Sequence, residues 1–110
     1  SAWIASDKII KEKPQVVQKT VNALYGAVAF LSDPKNRAEA VKLIAEIDEI
    51  PAEIAELELD GNIKKLSADG DIQKEWMVRA MDMAKLIGMT DLAPVEDSYV
   101  TTFKAVPTRQ

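Results

Sequence analysis

Seven carboxylates fall between Glu46 and Asp60 with no basic residue among them: Glu46, Asp48, Glu49, Glu53, Glu56, Glu58 and Asp60. Glu53, Glu56 and Asp60 are spaced by three and four, which places them on one face of a helix and would offer oxygens to Ca²⁺ or Mg²⁺. Glu53 and Glu56 also have the form of a general acid and base pair. Neither chemistry is expected. Dedicated calcium loops are more compact, and no histidine, nucleophile or glycine-rich loop accompanies the pair, so the stretch reads as a solvated acidic face. The chain contains no cysteine and no histidine. Those absences remove disulfides, thiolate metal sites, cysteine nucleophiles, the usual proton shuttle and the commonest metal ligand. No catalytic residue, metal site or cofactor is expected, and the chain does not read as an enzyme.

Other residue types invite a binding reading. Trp3 and Trp76 could stack on a flat ligand. Trp76 lies on the apolar stripe of a helix and reads as core, whereas Trp3 is more open and is the one candidate for a pocket wall. Met77, Met81, Met83 and Met89 fit pliable core filling better than a promiscuous groove. Lys8, Lys11 and Lys13 surround a helix start and read as solvated. A net charge of −4, from 14 basic residues and 18 acidic ones, leaves no electrostatic footprint for nucleic acid. No apolar run approaches the roughly 18 residues needed to span a membrane.

The elements that position these residues are helical. With 110 residues the chain has the size of one domain, 1–110, able to bury roughly 65% of its unfolded surface around a single core. Aromatic residues at 5% and four glycines argue against a sheet-rich or disordered chain. The longest pattern runs from Lys13 to Asp33. There Val17, Val21, Leu24, Val28 and Leu31 step by four, three, four and three and line one face. Pro14 suits the first helical position and Asp33-Pro34 closes the segment, so a helix is predicted from Pro14 to Leu31. Ala23, Gly26, Ala27 and Ala29 beside the stripe allow a close neighbour.

The remaining chain follows the same grammar. Ala2-Trp3-Ile4-Ala5 is too short for a helix and reads as a strand end or an extended lead-in. Ser6 or Asp7 caps a single turn through Ile10. Asp33 caps a second main helix through Ala38, Val41, Ile44, Ala45 and Ile47 or Asp48, packed antiparallel after a tight connection. Ile50-Pro51 interrupts it. Ile54 and Leu57 support a short third helix with Gly61 as its left-handed C-cap. A connection of roughly ten residues contains the turn signal Ser67 to Gly70. Asp71 is the expected cap of a fourth helix whose face is Ile72, Trp76, Ala80, Met83 and Ile87, stopped by Gly88. Val95, Tyr99 and Phe103 suggest a last short helix. The predicted architecture is all-α, with four to five helices and a short extended N-terminal stub.

The order of these signals resembles a known group. Ala5-Ser6-Asp7-Lys8-Ile9-Ile10, Pro14, Val17 and Asp33-Pro34, within the segment Trp3 to Glu46, match the C-terminal part of periplasmic solute-binding proteins of ABC importers. The group is the one related to sulfonate, taurine, nitrate and thiamine-precursor binders. Ile72 to Gly88, followed by Met89, fits that group's terminal helix, so the resemblance covers most of the chain.

It implies the C-terminal helical portion of a two-lobed α/β fold that closes on its ligand. The parent would capture a small polar solute and deliver it to a membrane permease, in the periplasm or outside the cell membrane. The resemblance carries over no ligand-contacting residue. Ser1 in place of an initiator methionine is expected to mark a processed or internal end. The isolated chain is expected to associate with itself through apolar surface made to be covered. The alternative is a self-standing helical module that presents an apolar groove to a partner helix.

Overall fold

Local sequence rules account for several of the helix ends in the computed structural model, which describes residues 2–106. α1 spans Asp7–Glu12, longer than the single turn expected, and Ser6 caps it by accepting a hydrogen bond from the Ile9 amide at 3.3 Å. α2 spans Pro14–Ser32 with proline in its first turn, as the spacing predicts. Asp33 accepts from the Lys35 amide at 2.9 Å and opens a 3₁₀ turn, Pro34–Asn36, which leads into α3, Arg37–Asp48. Glu49 in the left-handed region (φ 55°) ends α3, and α4 follows at Ala52–Ile63. α5 spans Lys74–Leu86, and a second 3₁₀ turn covers Val95–Asp97. Among the described residues the fold is all-helical with five α-helices and no strand.

Several expectations need correction. Asp33 caps the 3₁₀ turn and not α3, whose N-cap is Asn36, and on α4 Ile54 and Leu57 are exposed while Ala55 and Leu59 are buried. Gly61 does not cap α4: the helix runs through it to Ile63, because Ile63 packs against the α3–α4 core and extending the helix keeps it there. Asp71 is not the cap of α5. Gln73 holds that position without a side-chain bond, and Asp71 instead accepts from the Gln73 amide nitrogen Nε2 at 3.0 Å. Ile72 therefore lies ahead of the helix.

The helix through Val95, Tyr99 and Phe103 reduces to the single 3₁₀ turn. Val100, Thr101 and Thr102 are poor helix formers, and the chain beyond them bonds sideways to α2 instead. There Gln18 donates to the Lys104 carbonyl at 2.7 Å, and the Val106 amide donates to Asn22 at 3.0 Å. The correction of Trp76 belongs with the site residues below. Gly88 does end α5 as expected, at φ 90°, with the Met89 amide reaching back to the Ala84 carbonyl at 3.0 Å.

The core sits where α3 lies on α4. Ala40, Val41, Ala55 and Leu59 are its buried residues, and Phe30, Leu31, Ile44, Ala45, Ile50 and Ile63 pack around them half-covered. α2 touches both helices and α1 touches α2. α5 contacts only the second 3₁₀ turn and no other helix. The consequence is a thin core. The chain exposes 8886 Å², where a folded monomer of its 12.1 kDa mass would expose about 6,000 Å². Its radius of gyration is 17.0 Å, against about 13 Å for a compact domain of this length. No helix of the described residues is long and apolar enough to cross a membrane.

Candidate functional site

The acidic face of α4 is solvated along its length, with Glu53, Glu56, Glu58 and Asp60 all exposed. Asp60 is committed elsewhere. Arg37 at the start of α3 grips both its oxygens, Nη1 to Oδ1 at 2.7 Å and Nη2 to Oδ2 at 3.0 Å. This fork holds the Asp60 carboxyl below the usual carboxylate range and raises the guanidinium, chiefly through the hydrogen bonds and then through charge. Among the described residues no group of three acidic side chains converges to hold a metal ion.

Sequence spacing gives no hint of the Arg37–Asp60 pair, because the partners lie 23 residues apart on different helices. The same holds for Lys74 and Glu96, joined at 2.7 Å between α5 and the following 3₁₀ turn. There the lysine holds the Glu96 carboxyl low, first through the hydrogen bond.

Trp3 is 70% exposed and stands in the irregular lead-in before α1. It lines neither the depression beside the core nor the one on α5. The first, of about 160 Å³, lies against the core beside Leu31, Ile44, Leu59 and Ile63. That is smaller than the roughly 300 Å³ at which small-molecule pockets begin. The second, of about 310 Å³, is a shallow dip on α5 between Lys74, Glu75, Val78 and Arg79.

Trp76 does not pack in a core. It is 57% exposed, because its stripe faces no other helix. Met77 and Met81 are half-covered, whereas Met83 and Met89 stand open. Lys8, Lys11 and Lys13 are all exposed around α1.

The turn after α4 is tied by its own side chains. Ser67 donates to Asp69 Oδ1 at 3.2 Å and accepts from the Gly70 amide at 2.9 Å, while the Asp71 amide donates to Asp69 at 3.0 Å. Those bonds lower the Asp69 carboxyl, the Asp71 amide first. Gly70, at φ 74°, lets the Tyr25 ring lie where a side chain would begin, which seats the turn on α2. Among the described residues the molecule leaves a large apolar surface uncovered. That surface comprises the half-covered stripe of α2, the naked stripe of α5, and the exposed pair Trp3 and Ile4. No protein-family model, curated protein or solved structure matches the chain.

Proposed function

We propose that this chain is the helical C-terminal portion of an ABC-importer solute-binding protein, of the type that takes sulfonates, nitrate or thiamine precursors. The observation that supports the reading is α2. It is the longest helix and carries the most regular apolar stripe, yet none of its residues is buried. Val17, Val21, Leu24, Val28 and Leu31 are all left half-covered. A stripe of that width stabilises a fold only when a second layer lies on it. In the parent a β-sheet of one lobe supplies that layer, and the extended lead-in Ala2–Ala5 joins the helices to it. The lobes, closing on a small polar solute, deliver it to a membrane permease outside the cytoplasm. The chain itself does no catalysis, and Trp3 is its candidate for the pocket wall.

An antibody raised against the chain tests this in the source cells. The reading expects a band several-fold heavier than 12.1 kDa, released by osmotic shock, whose melting temperature rises with a sulfonate, nitrate or a pyrimidine. A 12.1 kDa band that stays with the cytoplasm overturns it. A second reading, a self-standing helical interaction module, draws on the private core of α3 and α4, closed by Arg37–Asp60. The 12.1 kDa outcome would favour it.

A further inference from the structure

We propose that the naked face of α5 is a self-association surface, on which a second copy of this chain docks its own α5 antiparallel about a two-fold axis. The inference concerns a face other than the α2 stripe and does not depend on the importer reading.

The surface is defined by position and exposure together. Trp76, Ala80, Met83 and Ile87 recur at steps of four, three and four, one face of a helix about 17 Å long from first to last. All four are exposed, at 57% for Trp76, 61% for Met83 and 75% for Ile87. The neighbouring face, Met77, Met81 and Ala84, is half-covered, and the open stripe lies beside it. Trp76, Val78, Met83, Leu86, Ile87 and Met89 put the densest run of exposed large apolar side chains on this one segment.

The geometry favours a second copy as the occupant. An antiparallel two-fold crossing between Met81 and Asp82 sets Trp76 of one chain against Ile87 of the other, and Ala80 against Met83. Each large side chain is then level with a complementary one. On one flank Arg79 comes beside Asp82 of the second copy, twice by symmetry, so opposite charges meet at the rim. Within its own chain Asp82 lies 3.6 Å from the exposed Lys85 ammonium. Leu86, 80% exposed on that same flank, comes level with the dip between Lys74, Glu75, Val78 and Arg79. A standard dimer removes about 800 Å² from each partner. The chain as a whole exposes 8886 Å², roughly 2,900 Å² more than a compact monomer, and the open α5 face contributes to that surplus.

Sedimentation equilibrium on the 110-residue chain at micromolar concentration tests the pairing. The expected mass is twice 12.1 kDa. Met83→Glu, at an exposed position, is expected to return the chain to monomer with its helical circular dichroism unchanged. Arg79→Asp is expected to weaken the dimer, and the added Asp82→Arg to restore it. Because the chain has no cysteine, orientation can be read by cross-linking. Trp76→Cys mixed with Ile87→Cys should form the mixed disulfide faster than either forms with itself. A wild-type monomer, a dimer indifferent to Met83→Glu, or preferential Trp76→Cys self-linkage would each overturn the proposal.

Discussion

Leu57 and Leu59 sit two residues apart on α4, and the structure gives them opposite fates: Leu59 is 5% exposed and Leu57 68%. Truncating each to alanine should therefore separate burial from every property the two share. Full burial of a leucine contributes about 1.5–3 kcal/mol by transfer alone, and Leu→Ala changes in cores cost about 2–5 kcal/mol once the cavity is included. Leu59 belongs at the lower end. The open depression of about 160 Å³ that it lines lets neighbours and water fill the space, so the cavity contribution is small. The expected loss is about 2–3 kcal/mol, a fall of roughly 10–20 °C in melting temperature for a chain of this length. Leu57→Ala should stay within about 0.5 kcal/mol of wild type.

Urea titration followed by circular dichroism, at one protein concentration, measures both. α5 and any self-association contribute equally to the two variants and drop out of the difference. Equal losses at the two positions, or a larger one at Leu57, would refute the placement of the core between α3 and α4.

The Arg37–Asp60 fork gives a pH signature of defined sign. The folded carboxyl lies below its ordinary value, so its contribution is fully present above that ordinary value, near pH 4, and fades as pH falls through the lowered one. The melting temperature of Asp60→Asn should lie below wild type by a constant amount above about pH 5 and converge on it toward pH 2. A gap that widens on acidification would contradict the pairing. Glycine positions make a third comparison. Gly70→Ala must hold a left-handed backbone and also displace the Tyr25 ring, whereas Gly88→Ala, at φ 90° in open space, meets only the first cost. The backbone alone is worth about 1–2 kcal/mol, and thermal melts should show Gly70→Ala the more damaging, with Tyr25→Ala relieving part of its excess. A larger loss at Gly88 would show that the turn does not rest on α2.

How legible each feature was in the sequence depends on how far its cause lies along the chain. Pro14, Asp33-Pro34, Ile50-Pro51 and Gly88 mark helix ends through the geometry of one turn, and the helices begin or end at these marks. Gly61 and Asp71 carry the same local signals and were overridden. Ile63 draws α4 onward to keep its place at the core, and the turn at 67–71 is bonded by its own side chains. Arg37–Asp60 and Tyr25 over Gly70 join residues far apart, and no spacing rule announces them. Among the site residues, the exposure of Trp3 was anticipated by its open position, while that of Trp76 was not.

By itself the sequence determined that this chain is helical and where the apolar stripes of α2 and α5 run, because propensity, capping and periodicity act over three or four residues. On α4 it pointed to Ile54 and Leu57, which are exposed, while Ala55 and Leu59 form the core. Whether an apolar face becomes core was decided only in three dimensions. Burial belongs to a pair of elements, and the stripe of α3 met α4 while the equally regular stripe of α5 met no other helix.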